Sequence, residues 1–134
     1  MSMNRSMPSS TVIPELPYPN VREAVDWLYR VFGFKERLRI GEHRAQLTFG
    51  EGSLIVTQRI GETSTSFSIM VRVENADQHY EHASRSGARI INPPEDYPYG
   101  ERQYVVEDPG GHRWTFSQTV ADIDPDSWGG ILFE

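Results

Sequence analysis

Cysteine is absent from the 134 residues. Disulfides, thiolate nucleophiles and Cys-ligated zinc are therefore excluded, and nothing points to an oxidising compartment. Long apolar runs are missing as well. No stretch approaches the roughly 20 apolar residues that a membrane span needs, and Met1 to Ser10 is polar, without the apolar core of a signal peptide. The expectation is a cytoplasmic chain with no membrane partner, in which residues 1–10 form a flexible tail. Basic residues are in the minority, 13 against 19 acidic, for a net charge of −6. Phosphate contacts need a basic face, so nucleic acid is not an expected partner. An acidic surface suits a cationic small molecule or serves solubility alone. No Gly-x-Ser-x-Gly elbow is present, which leaves nucleophilic catalysis with little to start from.

What is there is a repeat. Val21, Ala24, Val25, Leu28 and Phe32 fall at helical spacing and predict a helix over Val21 to Phe32. Asn20 is a suitable N-cap with Glu23 three residues on, and Gly33 can take the left-handed conformation that ends a helix. The same grammar returns further along. Asn75 is the cap, Gln78 lies three residues on, Ala76, Tyr80 and Ala83 form a weaker stripe, and Gly87 stops the helix. The caps are 55 residues apart and the stop glycines 54. Self-similarity of this kind organises a fold.

Each helix follows a strand: Thr11 to Tyr18, whose two prolines suit an edge, and Phe67 to Val73, which alternates cleanly. Three strand-like runs follow each helix. They are Lys35 to Ile40, Arg44 to Phe49 and Ser53 to Thr57 in the first half, and Arg89 to Ile91, Arg102 to Glu107 and His112 to Ser117 in the second. Gly50-Glu51-Gly52 and Asp108-Pro109-Gly110-Gly111 are the turns. Pro93 to Gly100 is too proline-rich for a regular strand and reads as a rim loop whose Tyr97 and Tyr99 could stack on a flat ligand. Each half is thus strand-helix-strand-strand-strand. One helix covers only one face of its sheet, so the other face needs a sister unit or another copy of the chain. The fold class expected is α+β, two paired βαβββ modules making a curved mixed sheet around a concave cavity. A single domain over 11–134 would hold repeats at about 11–60 and 66–118 and an extension at 119–134, with Trp128 and Phe133 as apolar anchors.

The run Ala24-Val25-Asp26-Trp27-Leu28-Tyr29 into Phe32-Gly33-Phe34, the segment Asp108-Pro109-Gly110-Gly111-His112-Arg113-Trp114, and Gly100-Glu101-Arg102-Gln103-Tyr104 together resemble the vicinal-oxygen-chelate superfamily. That superfamily includes glyoxalase I, bleomycin- and fosfomycin-resistance proteins and extradiol dioxygenases. The resemblance covers about Val12 to Trp128. It implies a metal site in which the first and last strand of each module offer His, Gln or carboxylate ligands to a divalent ion with open positions. Carried over by motif, those positions are Ile13, Val56, Ser68 and Thr115, none of which is such a ligand. A register error of one residue brings in only Val12, Pro14, Ile55, Thr57, Phe67, Ile69, Trp114 and Phe116. The resemblance then points to the metal-free, drug-binding members, which sequester a small molecule without a cofactor, as a homodimer.

Taking the ligand positions as inward, alternation puts Ile13, Glu15, Leu54, Val56, Gln58, Ser68, Met70, Arg72, Arg113, Thr115 and Ser117 towards the cavity. Arg102 and Tyr104 of the family-like run join this candidate ligand-binding set. Val12, Leu16, Ile55, Ile69, Val71, Trp114 and Phe116 are expected beneath the helices. A few polar groups in an apolar cleft are what a small-molecule site needs. His79 and His82 share a helix face and are read as half-exposed surface; His112 is read as stabilising its turn, and His43 as exposed. Two other functions stay open. One is an enzyme of the same superfamily using unusual metal ligands, Glu15 or Glu101 as acid-base groups, or Ser68 as a nucleophile helped by Glu15. The other is a structural or interaction module with a filled cavity.

Overall fold

Both helix starts are built as their caps predict. In the computed structural model, which describes residues 4–59, 61 and 68–132, Asn20 accepts a hydrogen bond from the Glu23 amide at 3.0 Å and Asn75 accepts one from Gln78 at 3.0 Å. Each cap satisfies one of the amides a helix start leaves unpaired and is worth about 1 kcal/mol. The first helix, α1, runs Val21–Trp27 and continues as one π-helical stretch, Leu28–Phe32, before Gly33 closes it at φ 89°. The second, α2, is Ala76–Arg85, and Gly87 follows at φ 87°.

Around α1 the strands are β1 (Glu15–Tyr18), β2 (Lys35–Ile40), β3 (Arg44–Phe49) and β4 (Gly52–Gln58), in sheet order β1-β4-β3-β2. Around α2 they are β5 (Ser68–Arg72), β6 (Arg89–Tyr97), β7 (Glu101–Glu107) and β8 (Arg113–Thr119), in the order β5-β8-β7-β6. The first strand of each sheet runs parallel to the last and the other pairs are antiparallel. The chain divides into two compact units, Met1–Ser64 and Thr65–Glu134, each holding one βαβββ module. The expected Phe67 start of the fifth strand and the Phe133 anchor lie outside the described residues.

Three elements depart from expectation, each for a local reason. β1 is shorter than Thr11 to Tyr18, since Pro14 and Pro17 restrict it to a short edge strand. Pro93 and Pro94 are not in a rim loop; β6 carries them through to Tyr97. β6 is the edge of its sheet, and its register shifts between Asn92 and Glu95 let two residues without amide donors sit in the ladder. Residues 4–10, expected as a flexible tail, lie against the first sheet. The Ser10 hydroxyl donates to the Glu51 carbonyl at 2.7 Å, and Pro8 is buried.

Cross-strand partners point to the same face of a sheet, so register fixes which residues go under each helix. Leu16 pairs with Val56, Val56 with Ala45, and Leu47 with Leu54, all buried on the α1 side. In the second module Trp114, Phe116, Tyr104 and Val106 form the corresponding layer under α2. His79 is half-buried, in keeping with its half-exposed reading, and packs on that layer, stacking on Phe116 with ring centres 4.1 Å apart and sharing a 2.5 Å hydrogen bond with the Tyr104 hydroxyl. Burial pushes the Tyr104 hydroxyl up, which keeps its proton available to the imidazole. His82 and His43 are exposed.

The tight turn before β8 is held by one buried carboxylate. Asp108 accepts from the amides of Gly110 (2.9 Å) and His112 (3.0 Å) and from the Trp114 indole (2.9 Å). The His112 ring lies 3.1 Å from the same carboxylate; since an ionised carboxylate only accepts, the imidazole proton sits on Nδ1. His112 therefore stabilises its turn, as its position suggests. Asp108→Ala removes the acceptor that four buried donors share, and a loss of about 3 kcal/mol or more is expected in urea unfolding; a loss under 1 kcal/mol would contradict the staple.

Glu36 on β2 ties its sheet to α1, accepting from Arg22 at 2.7 Å and from Arg39 at 2.9 Å. The Arg39 and Arg22 hydrogen bonds hold its carboxyl down at about 2, against 4.5 ordinarily. A depressed carboxyl stabilises the folded chain above its unfolded value, and that contribution fades as pH falls from 4.5 towards about 2. Thermal unfolding followed across that window is expected to show a smaller loss of Tm in Glu36→Gln than in the parent.

Candidate functional site

With α1 and α2 on one face of each sheet, function is left to the other face. In the first module that open face carries Glu15, Ile55, Thr57, Ser53, Gln46, Arg44 and Leu38, as the ladder pairs show. Glu15 is held by Arg44 at 2.7 Å. In the second module the open face carries Ser68, Met70, Arg72, Arg113, Thr115 and Ser117. Met70 is 63% exposed there, an unusual position for a large apolar side chain.

One end of the second open face is a polar network. Ser117 Oγ donates to Glu101 at 2.5 Å and accepts from the Gln103 amide at 3.0 Å, while the Tyr99 hydroxyl donates to Gln103 at 3.2 Å. Arg72 donates to Thr119 at 2.5 Å. The Ser117 and Thr119 hydroxyls, with the Arg72 charge, hold the Glu101 carboxyl below its ordinary range. Beside it, Tyr97 stacks on Tyr99 and Trp128 meets Tyr99 edge-on, each with centroids 5.6 Å apart.

The architecture has relatives. The Glyoxalase/Bleomycin resistance protein/Dioxygenase superfamily profile matches residues 12–116. The chain belongs to that superfamily. The crystal structure of TioX from Micromonospora sp. ML1 is 36% identical, covering 83% of this chain and 99% of that one, with a TM-score of 0.72. A bleomycin resistance determinant encoded on the transposon Tn5 is 20% identical over 84% of this chain and all of its own (100%), with a TM-score of 0.72; at that identity the likeness is one of fold. An uncharacterised Mycobacterium bovis protein is 34% identical over 62 residues, which are 46% of this chain and 41% of that protein. The match thus spans less than half the length of that relative.

Within this superfamily fold, the residues expected to face a ligand divide by module. In the second module Ser68, Met70, Arg72, Arg113, Thr115 and Ser117 share the open face, and Trp114 and Phe116 are core. In the first module the parity of β4 is the reverse of that expected. Leu54 and Val56 are buried on the helix side, and Gln58 shares their parity and donates to the Pro19 carbonyl at 2.7 Å. Ile55, expected as core, takes the open side. The reason lies in the turn, because the Phe49–Gly52 pair at its mouth sets the β4 register one residue away from that of β8. Ile13 is half-buried ahead of β1. Arg102 and Tyr104 are also corrected. Arg102 bonds Asp77 of α2 at 2.9 Å and Asp96 at 3.1 Å, and Tyr104 is fully buried beneath α2. The Gln103–Glu101–Tyr99 network went unread in the sequence, because placing Tyr104 in the ligand-binding set gives Gln103 and Glu101 the opposite parity from the one they have.

The superfamily implies a divalent metal in some of its members, and the donors available here do not fit one. The open-face residues of the four relevant strands include Glu15, then Ser53, Ile55 and Thr57, then Ser68, Met70 and Arg72, and then Arg113, Thr115 and Ser117. The single carboxylate among them is committed to Arg44, and hydroxyls are weak ligands. Among the described residues no three His, Asp or Glu side chains group so as to hold an ion.

A polar pocket of about 450 Å³ in the first unit lies between residues 9–11, Arg37 and the Gly50–Ser53 turn. A second, of about 520 Å³, lies between α1 and β2, lined by Arg22, Tyr29, Lys35 and Arg39. Neither contains the residues expected to form the site. Ser117→Ala is expected to raise the Glu101 pKa towards 4.5, read by carboxyl carbon NMR titration; an unmoved titration would show that the hydroxyl does not hold the charge.

Proposed function

We propose that this protein binds a small organic molecule without a metal and sequesters it, working as a homodimer. The observation that carries the reading is the second open face, where exposed Met70 lies among Ser68, Arg72, Arg113 and Thr115. Apolar surface with a few fixed polar groups suits capture of a ligand, and the absence of metal-binding side chain types at the superfamily's positions argues against the chemistry of its glyoxalases and dioxygenases. Membership of a superfamily that includes bleomycin resistance proteins supports resistance by sequestration as the biological role. Exposed Met70 also favours a second copy of the chain as the cover for this face.

Glu101 gives a polar end to the proposed site. Its carboxylate is charged at neutral pH, fixed by Ser117, and flanked by Tyr97, Tyr99 and Trp128. Aromatic faces beside a fixed negative charge favour a flat or cationic group on the ligand.

A thermal-shift screen of small organic molecules tests this, since a ligand that binds only the folded state raises Tm by mass action. Hits are expected to lose at least ten-fold in affinity in Met70→Glu and to be indifferent to EDTA. A divalent ion that co-purifies stoichiometrically and is required for ligand binding would overturn the proposal.

A further inference from the structure

The open face of the first sheet is already occupied by the chain itself. Gln46, in the middle of β3, is a polar side chain only 2% exposed. Its Nε2 donates to the Ser6 carbonyl at 2.7 Å and its Oε1 accepts from Arg37 at 2.6 Å. Arg37 in turn donates to the Arg5 carbonyl at 2.9 Å. Two side chains on neighbouring strands thus hold two successive backbone carbonyls. Further along, the Ser10 hydroxyl meets Ser53 Oγ at 2.8 Å and the Glu51 carbonyl at 2.7 Å. Pro8, between these anchors, is buried.

This is not how a sheet face is covered when packing alone decides. A buried glutamine amide is costly unless paired, and here its donor is paired with main chain that carries no side-chain identity. Arg5 and Ser6 are the middle of a turn closed by the Met7 amide on the Asn4 carbonyl at 3.2 Å, and their carbonyls could be replaced by those of another peptide turn. The neighbouring pocket of about 450 Å³, lined by Ser9, Ser10, Thr48 and Ser53, leaves room beside the segment.

We propose that residues 4–11 are an intramolecular strap seated in a peptide-reading site, formed by Gln46, Arg37 and Ser53, that accepts a peptide turn through its backbone carbonyls. Release of the strap opens the site to a ligand of that class. The site stands on these contacts alone, on the first sheet, and does not rest on the function proposed above for the second. Because the strap is tethered, its local concentration is high, and a free peptide competes poorly while it is present.

Trypsin reports on the strap in the full chain through the Arg5–Ser6 bond, which becomes cleavable when the segment lifts. The double variant Arg37→Ala/Gln46→Leu is expected to be cut there at least ten-fold faster than the parent, with the rest of the chain equally resistant. Equal rates would overturn the proposal. In a variant lacking residues 1–11, a synthetic Asn4–Thr11 peptide is expected to bind saturably at one per chain, and at least ten-fold more tightly than to the full chain. Adding Gln46→Leu is expected to abolish that binding. A folded truncated protein that ignores the peptide would overturn the proposal, and if that variant does not fold, the cleavage rates decide alone. Failure of the two readings is distinguishable. A small-molecule hit that binds the full chain and needs Met70, with a strap indifferent to Arg37 and Gln46, leaves sequestration standing and removes the strap. The converse pattern keeps the strap and removes sequestration.

Discussion

A four-stranded sheet with one helix can bury only one of its two faces, and every other feature of this chain answers to that constraint. Side chains alternate, so register decides which half of each strand's residues the helix covers. Leu16, Val56, Ala45 and Leu47 meet α1, and Trp114, Phe116 and Tyr104 meet α2. What is left over on the opposite faces must be satisfied by something else. The two modules solve this differently. The first lays residues 4–10 against its open face, where buried Gln46 donates to the Ser6 carbonyl. The second leaves Met70 exposed and satisfies its buried Ser117 and Gln103 through Glu101 and Tyr99.

The difference between the modules is chemical more than topological. Both share strand order, helix caps and stop glycines. The turn before β8 has Asp108, whose carboxylate holds two amides and an indole, whereas the turn before β4 is Gly50-Glu51-Gly52 and has no buried carboxylate of its own. The stapled turn fixes where Trp114 enters the core. The glycine turn pairs Phe49 with Gly52 at its mouth, and in that register Leu54 and Val56 go beneath the helix.

Much of this was legible from residue types. Asn20, Asn75, Gly33 and Gly87 announced the helices because capping and left-handed geometry select those side chains locally. β2 and β3 were readable to the residue for the same reason, being bounded by glycine-containing turns. Legibility ended where tertiary partners decide. Nothing local in Leu54-Ile55-Val56 says which residue faces the helix, since all three are apolar. Pro93 and Pro94 spoke against a strand, yet an edge position with a register shift removes the objection. Arg102 looked like a site residue because its run is family-like; Asp77, 25 residues earlier, claims it instead. Residues 4–10 look like a tail because they are polar, and only the distant Gln46 and Arg37 give them a place.

The misplaced register of β4 bears on the metal question in a way that strengthens the chemistry. The inference from sequence rested on Ile13, Val56, Ser68 and Thr115 being unable to hold an ion. With Val56 turned under α1, its place on the open face falls to Ile55 and Thr57, one a hydrocarbon and the other a single neutral hydroxyl. Glu15, the one carboxylate brought to that face on the relevant strands, is neutralised by Arg44 at 2.7 Å. A cation seated there would have to break that pair and would gain hydroxyl oxygens in return, which bind divalent ions weakly. The donor chemistry is therefore insensitive to the register error, since either parity of β4 offers only hydrocarbon, hydroxyl or neutral amide groups.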